Sequence, residues 1–274
     1  MRYFLHLGYN GKRYHGWQRQ PKVISVQQVV EEALSKMIGE TIVVIGCGRT
    51  DAGVHASQYF LHFYAPFVFD QPVAGQAGFD AKFRLNKMLP TDIAIFDVLP
   101  MEGRVHAQYG PISRTYDYYI HFNKDPFLQD RSSYYPSEEE GFDLLAMKEA
   151  VGLLTQYNDY RAFCKQPDLY EHTICEVSVA NLWISPNGEK LKFQVTANRF
   201  LRGMIRFIVG RLVEIGKGRL TVDQFEHGLK TLEFFKHKNP AYPQGLYLSK
   251  VLYPYLDLPS RADFGMGQEA WQEI

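Results

Sequence analysis

The chain has 274 residues, 46% of them hydrophobic, so it is long enough for one large domain or two modest ones with packed cores. Its 30 Lys and Arg residues balance its 30 Asp and Glu residues, and this neutral total does not favour a nucleic-acid partner, because such proteins usually carry a basic excess. The sequence has neither a run approaching the roughly 20 apolar residues of a membrane-spanning helix nor a signal-peptide pattern, which predicts a cytoplasmic protein without a membrane partner.

The first half of the sequence alternates strand and helix patterns. Residues 1–9 alternate as a strand, and the capping-box pattern Ser25-Val26-Gln27-Gln28 predicts a helix that ends at Gly39. Further elements are predicted as a buried strand at residues 41–45, a strand at 58–63, a helix around 79–88 and a strand at 93–98. Helices in such a mixture should cover one face of a sheet.

The second half continues this alternation without detectable sequence repetition. A tyrosine-rich strand at 114–122 places Tyr116 and Tyr118 on one face, and Pro186-Asn187-Gly188 marks the turn of a hairpin. The remaining predictions are a helix at 143–154, strands at 174–185 and 190–197, helices at 202–215 and 222–232, and a strand at 246–252. We divide the chain near residue 108, into an N-terminal subdomain (1–108) and a C-terminal subdomain (109–274).

The segment Gly48-Arg49-Thr50-Asp51-Ala52-Gly53-Val54-His55 places one carboxylate in a glycine-rich loop between two predicted strands. Its glycines allow a tight turn and the close approach of a planar substrate. Gly46-Cys47-Gly48 begins like the G-x-G-x-x-G pattern of a dinucleotide-binding loop, but Asp51 stands at the position of the third glycine. A carboxylate there would repel a phosphate, which argues against that kind of loop. Taken alone, an Asp in such a turn is more often a turn residue than a catalytic group.

Further motifs accompany this loop, in order, along nearly the whole chain. They are Tyr9-Asn10-Gly11, Tyr14-His15-Gly16-Trp17-Gln18-Arg19-Gln20, Val105-His106-Ala107, Arg114-Thr115-Tyr116, Asn198-Arg199-Phe200, Met204-Ile205-Arg206-Phe207-Ile208-Val209-Gly210 and Gly245-Leu246-Tyr247-Leu248. Together with the loop, these motifs resemble the TruA family of tRNA pseudouridine synthases. The resemblance implies an α+β fold, in which two ferredoxin-like halves form a joined mixed or antiparallel sheet with helices on one side and a central cleft.

The resemblance makes Asp51 the nucleophile that forms an adduct with the target uridine. Attack on the ribose C1′, attack on C6 of the base and assistance to a glycal intermediate all stay open, and each requires an ionised carboxylate. Such a group in a closed site needs a cationic partner. Arg206 lies at the edge of the apolar stripe of its predicted helix, near Gly203 and Gly210, where another backbone could approach. We hypothesise that it pairs with Asp51. The alternative is a surface arginine whose alkyl chain covers apolar side chains.

By the same resemblance, Tyr116 is the active-site tyrosine. Its ring could stack on the displaced uracil, and its hydroxyl could assist removal of the C5 proton. Leu246 matches an aliphatic position that lies near the base in this family. The alternative for both residues is an ordinary place in the hydrophobic core.

The resemblance also implies a set of RNA-binding residues, which are Arg49, His106, Lys12, Arg13, Arg19 and Trp17. Arg49 would occupy the space that the extruded uridine leaves. The loop that contains the other basic residues could meet phosphates, with aromatic side chains between them. The family usually has an arginine after the His-Ala pair, whereas this chain has Gln108, so a phosphate contact is missing there.

The leading hypothesis is an isomerase that converts uridine to pseudouridine at positions 38, 39 and 40 of the tRNA anticodon stem-loop. The resemblance implies that it acts as a homodimer on tRNA. No cofactor is needed because the exchanged bond is internal to the nucleotide, and the scattered histidines and three cysteines do not indicate a metal site. The alternatives are a non-catalytic RNA-binding protein, a pseudouridine synthase acting on a different RNA, and a carboxylate-dependent hydrolase, for which the loop lacks a second acid.

Overall fold

The computed structural model describes residues 1–66, 80–137, 141–235, 239–261 and 270–274, so the first residue of the helix predicted around 79–88 lies outside the described residues. Within these ranges the strands are β1 (Arg2–Tyr9), β2 (Ile45–Gly46), β3 (His55–Tyr64), β4 (Ile93–Met101), β5 (Ser113–His121), β6 (Ser133–Tyr134), β7 (Val177–Ile184), β8 (Lys190–Ala197), β9 (Leu246–Leu252) and β10 (Gln272–Glu273). The helices are α1 (Val26–Ile38), α2 (Ala81–Met88), α3 (Leu144–Leu153), α4 (Met204–Gly216) and α5 (Val222–Thr231).

The chain divides into two compact units, and the first contains the described residues of Met1–Ile112 and Leu248–Asp263. Its strands have the order β9–β3–β1–β4, where β9 belongs to this unit from Leu248 onwards, and β2 pairs with β3. Strand β1 is antiparallel to both neighbours, so that Leu5 lies opposite Leu61 on β3 and Val98 on β4. Helix α2 packs against β4 and contacts α1.

The second unit contains the described residues of Ser113–Tyr247 and Phe264–Ile274. Its strands have the order β10–β7–β8–β5, and β6 runs parallel to β5. Strands β7 and β8 form the predicted hairpin, whose turn places Gly188 at a φ of 73°. Helix α3 packs against β7, α4 and α5. Each unit therefore combines a sheet with packed helices, and the predicted α+β class is confirmed.

Helix α1 begins and ends where the sequence predicts. The Ser25 hydroxyl accepts a hydrogen bond from the Gln28 backbone N–H, and Gly39 ends the helix at a φ of 86°, a left-handed conformation that suits glycine. Of the predicted capping box, only the bond to the Ser25 hydroxyl is found among the described residues, and the Gln28 Nε2 donates to Glu32. The local signal was therefore sufficient for the ends of the helix but not for every bond at its cap.

The buried strand predicted at residues 41–45 is wrong. Strand pairing starts only at its last residue, in β2, and the side chain of Val43 is 68% exposed. Side chains of α1 bind this backbone instead: Glu31 accepts a hydrogen bond from the Val44 N–H at 3.2 Å, and Gln27 donates to the Val44 carbonyl at 3.2 Å. The Val44 backbone groups are thus hydrogen-bonded to side chains of α1 and not to a neighbouring strand.

The other predicted helices and strands are present, with ends that differ by up to three residues from the predictions. The short strands β6 and β10 were not predicted, because two residues do not carry a detectable alternation. Among the described helices, none combines the length and apolar character that crossing a membrane requires.

Candidate active site

The loop that carries Asp51 is fastened to the first unit on both sides. The Thr50 carbonyl accepts a hydrogen bond from the Trp17 N–H at 3.2 Å, and the Gly53 N–H donates to the Tyr14 carbonyl at 3.2 Å. The hydroxyls of Thr50 and Tyr9 share a hydrogen bond of 2.8 Å. Asp51 itself is partly exposed between two anchored neighbours. The segment 14–17 therefore holds the backbone on both sides of the carboxylate, and Tyr9 of β1 holds the Thr50 side chain, as a positioned catalytic group requires.

The segment that anchors this loop approaches it more closely than a side chain would allow. Gly16 has a φ of 85°, and a Cβ added to it would lie 2.3 Å from the Thr50 carbonyl oxygen. Beside it, the indole of Trp17 stacks on Tyr59 with ring centroids 4.2 Å apart and is only 2% exposed. Trp17 was predicted to bind RNA. The structure places its ring in the core beneath the loop, where it supports the backbone.

The basic residues predicted to bind RNA in the first unit differ in their surroundings. Arg49 and Lys12 are exposed. The Arg13 side chain pairs with Asp92 at 2.6 Å, and Arg19 pairs with Glu31 at 3.0 Å. Two of the four predicted cations are therefore matched with carboxylates of the same unit, which reduces their attraction for a phosphate.

Asp92 also binds a tyrosine of the anchoring segment. The Tyr14 hydroxyl donates to its second oxygen at 2.7 Å. Burial and, secondarily, this hydrogen bond to a carboxylate raise the pKa of Tyr14 to about 12. Tyr14 thus stays protonated and acts as a donor that ties the anchoring segment to the turn before β4.

His106 lies in a histidine pair on the same unit. Its ring contacts His62 edge to face, with centroids 4.7 Å apart, and stacks on the exposed ring of Tyr109 at 4.6 Å. The His106 Nδ1 accepts hydrogen bonds from the N–H groups of Gln108 and Tyr109 at 3.1 and 3.3 Å. Burial, with a smaller contribution from Arg2, lowers the pKa of His106, so the neutral ring is favoured. A neutral ring beside an exposed tyrosine suits stacking better than phosphate binding.

In the second unit, Tyr116 is buried on β5 opposite Val195 of β8. Its ring meets Phe200 edge to face, with centroids 5.1 Å apart. Leu246 is the first residue of β9 and is also buried. Both side chains thus occupy well-packed positions, which limits their conformational freedom.

Arg206 is held by the segment that precedes β9. Its Nε donates to the Ala241 carbonyl at 2.7 Å, and the Ala241 N–H donates back to the Arg206 carbonyl at 2.8 Å. One helical turn further on, a Cβ at Gly210 would lie 2.2 Å from the Asn239 carbonyl oxygen. The close approach of another backbone that Gly210 predicted is therefore confirmed, and it brings this segment directly onto α4.

Sequence reasoning missed the residues that fix the other side of this segment. The Tyr118 hydroxyl, in a side chain with no exposed surface, shares a 2.7 Å hydrogen bond with Ser133 and donates to the Tyr242 carbonyl at 2.7 Å. Tyr135 accepts from the Tyr242 N–H at 3.4 Å. The only signal was the alternation that placed Tyr118 on the face of Tyr116. The bond partners are 15 and 124 positions away.

Within the described ranges, no group of three or more His, Cys, Asp and Glu side chains is arranged to hold a metal ion. The first unit carries a partly exposed carboxylate, Asp51, and the second unit carries a buried tyrosine, Tyr116, and an arginine anchored through its Nε, Arg206.

Comparison with known proteins adds to this geometry. A family model described as tRNA pseudouridine synthase matches residues 152–254. A tRNA pseudouridine synthase A from Parabacteroides distasonis is 39% identical over 253 residues, which cover 92% of this chain and 96% of that protein. Proteins of the same name from Porphyromonas gingivalis and Bacteroides thetaiotaomicron are 38% and 39% identical, over 92% of this chain and 97% and 91% of theirs. The chain belongs to the tRNA pseudouridine synthase A family.

Membership of the tRNA pseudouridine synthase A family confirms the resemblance that the sequence motifs indicated. The segment matched by the family model contains Arg206 and Leu246, and the alignments with whole relatives extend over nine tenths of the chain. The chain is therefore similar to these enzymes across both units and not only in one shared domain.

Proposed function

We propose that this protein converts uridine to pseudouridine in tRNA, at positions 38, 39 and 40 of the anticodon stem-loop. In this reaction the bond between C1′ and N1 breaks, a bond between C1′ and C5 forms, C5 loses a proton and N1 gains one. No electrons are transferred to or from another molecule, so the side chains need to supply only a nucleophile, a proton acceptor and charge stabilisation.

Asp51 is the proposed nucleophile. The observation that supports this assignment most directly is its placement: a partly exposed carboxylate on a loop whose neighbours, Thr50 and Gly53, are hydrogen-bonded to the Trp17 and Tyr14 backbone. These bonds fix the backbone on both sides of the carboxylate, as a positioned nucleophile requires. The three routes, through C1′, through C6 or through a glycal, all use this carboxylate in its ionised form.

Arg206 and Tyr116 are proposed to complete the catalytic set. The Arg206 guanidinium would stabilise the Asp51 carboxylate, and its anchorage at Ala241 supports such a role because a fixed cation loses less entropy when it acts. Tyr116 would stack on the displaced base, and its hydroxyl would assist the removal of the C5 proton to solvent by hydrogen bonding. Leu246 would pack against the base, and Arg49 would occupy the space left by the extruded uridine.

Assembly and location complete the proposal. We propose a homodimer in the cytoplasm, with one tRNA contacting both subunits. The basis is family membership alone, and size-exclusion chromatography with light scattering measures the mass directly.

Release of tritium from tRNA labelled at C5 of uridine tests the proposed reaction. The wild-type protein should release label, and the Asp51→Asn variant should release none above background while it still binds tRNA. Asp257→Asn is the matched control, because it removes another exposed carboxylate of the same unit and should leave the rate unchanged. Label release by Asp51→Asn would contradict the assignment of the nucleophile.

A second function, RNA binding without catalysis, predicts a different result. Both the wild-type protein and the Asp51→Asn variant would then bind tRNA equally well and release no label.

Substituting cytidine for uridine at positions 38, 39 and 40, one at a time, shows which position supplies the label and so tests the choice of site.

A further inference from the structure

Three basic residues of the second unit are connected to Tyr170, directly or through one another. They are Lys165, Arg199 and Arg202, and we refer to them as the Tyr170 cationic cluster. The Arg202 N–H donates to the Tyr170 hydroxyl at 3.1 Å, and the Arg199 guanidinium lies 5.8 Å from the centre of the Tyr170 ring. The Lys165 N–H donates to the Arg202 carbonyl at 3.0 Å. These bonds connect two segments that are far apart in sequence and hold the three residues on one patch.

The guanidinium groups of the two arginines contact groups other than carboxylates. An Arg202 Nη donates to the Gln166 side-chain oxygen at 2.8 Å, and an Arg199 Nη lies 3.4 Å from the His172 Nε2. Lys165 and Arg202 are exposed, and Arg199 is partly exposed. In the part of the chain that the structure describes, none of the three forms an ion pair with a carboxylate.

Nearby acidic residues do not neutralise the cluster. Asp168 pairs with Arg161 at 2.5 Å, and the exposed Glu171 and Glu176 form no ion pair with the cluster among the described residues. Several other cations of the protein are paired. Each of the following pairs with a carboxylate: Arg13 with Asp92, Arg19 with Glu31, Lys230 with Glu226, Lys250 with Asp257 and Arg261 with Asp97.

Cations kept close together without counter-charges repel one another, so this arrangement carries an electrostatic cost in the folded protein. Guanidinium groups whose partners are not carboxylates retain donors for a phosphate, whose oxygens they bind with matching geometry. Because the whole chain has no net charge, any attraction for a polyanion has to come from a local patch of this kind.

We propose that the Tyr170 cationic cluster binds the phosphate backbone of the RNA substrate. The inference rests on the proposed function, since it takes tRNA as the substrate, and it adds a contact surface that none of the sequence motifs assigned. The second unit would then supply part of the RNA affinity that was expected of Arg13 and Arg19. The charges of these two residues are shared with Asp92 and Glu31.

The test measures the affinity for a tRNA transcript at several KCl concentrations, with the protein carrying Asp51→Asn so that the RNA is not converted. Adding Arg199→Ala and Arg202→Ala should raise the Kd about 10-fold at about 0.1 M KCl and lower the slope of log Kd against log salt by about 1.5, because each phosphate contact contributes about 0.7–0.9. Adding Lys148→Ala and Lys230→Ala is the control. It removes the same charge from exposed positions on α3 and α5 and should change neither quantity.

A further arm uses a tRNA in which cytidine replaces the target uridines. A phosphate contact should be lost equally with both RNAs, so a loss confined to the uridine-containing tRNA would contradict the proposal. Equal effects of the cluster variant and the control variant would overturn it. The single variant Arg202→Gln keeps a polar side chain and should raise the Kd about threefold, which provides a measurement if the double variant does not fold.

Binding and catalysis separate the two claims. If the cluster variant binds tRNA like the control while the wild-type protein releases label from tRNA, the inference fails and the proposed function stands. If the wild-type protein binds tRNA through the cluster but releases no label, the proposed function fails and the binding surface stands.

Discussion

The Nε of Arg206 donates a hydrogen bond of 2.7 Å to the carbonyl oxygen of Ala241, and the Ala241 N–H returns one of 2.8 Å to the Arg206 carbonyl. The side chain and the backbone of Arg206 are therefore both hydrogen-bonded to Ala241. This double contact fixes the plane of the guanidinium, since rotation about its last bonds would break the Nε bond.

Arg206→Lys should keep the positive charge but remove this geometry. A lysine has no Nε–H in a planar fork, so we expect the single-turnover rate of pseudouridine formation to fall about 100-fold, as when one oriented donor is removed from an active site. The Kd for tRNA should change less than about threefold. Arg161→Lys, in the same unit, is the control and should retain the full rate. A wild-type rate for Arg206→Lys would contradict the importance of the orientation.

Tyr118→Phe should destabilise the second unit. Removing the hydroxyl leaves the buried Ser133 and the Tyr242 carbonyl without this partner, which should lower the free energy of unfolding by about 1–2 kcal/mol. Urea denaturation measures the change. Tyr134→Phe removes a hydroxyl from a side chain that is 40% exposed and should cost less than about 0.5 kcal/mol. Equal costs for the two variants would show that the buried hydroxyl network does not contribute.

Gly16→Ala should disturb the loop that carries Asp51. The new Cβ would meet the Thr50 carbonyl oxygen at 2.3 Å in a left-handed backbone conformation, so we expect a loss of about 2–4 kcal/mol in stability and a lower rate. Gly39→Ala is a closely matched control. Its φ of 86° is almost the same, but nothing lies within 4 Å of the added Cβ, so only the backbone strain of about 1 kcal/mol should appear. Similar losses in both variants would exclude a contribution from the close approach.

His62 should make the stability of the first unit depend on pH. It accepts a hydrogen bond from the Ala107 N–H, and burial, followed by the charges of His106 and Arg2, lowers its pKa from 6.5 to about 4. Between these values the unfolded chain binds more protons than the folded chain. The stability that the neutral ring contributes is therefore fully present above about pH 6.5 and decreases as the pH falls towards about 4.

His62→Asn keeps an oxygen that can accept the same hydrogen bond but does not titrate. The decrease in the free energy of unfolding between about pH 7 and pH 5 should be smaller by about 2 kcal/mol in this variant than in the wild type. Chemical denaturation at each pH provides the values. His15→Asn, at an exposed position, should lose as much stability as the wild-type protein. An unchanged pH dependence in His62→Asn would contradict the prediction.

Several local features were predictable because neighbouring residues determine them. Ser25 and Gly39 delimit α1, the turn at Gly188 closes the hairpin, and Gly210 indicated that another backbone approaches α4. A cap, a turn or a missing side chain acts within a few residues, so its effect can be read without the rest of the chain.

Other features depend on residues that meet only after folding. The backbone around Val44 is bound by Glu31 and Gln27 of α1, which turned a predicted buried strand into an irregular segment with an exposed Val43. The apolar composition of residues 41–45 is compatible both with a buried strand and with an irregular segment. Which N–H and carbonyl groups are already engaged is a property of the tertiary structure.

The sequence by itself determined the family, the order of most elements and the loop that presents Asp51, because ordered motifs and periodic patterns are written along the chain. Only the tertiary structure decided that Trp17 supports that loop from the core, that Arg13 and Arg19 share their charges with carboxylates, and that Arg199 and Arg202 do not. Charge compensation and burial are set by distances in space, and partners such as Arg13 and Asp92 are 79 positions apart. The composition gives the number of charged residues, whereas the folded structure determines which of them are not paired with a carboxylate and can bind a phosphate.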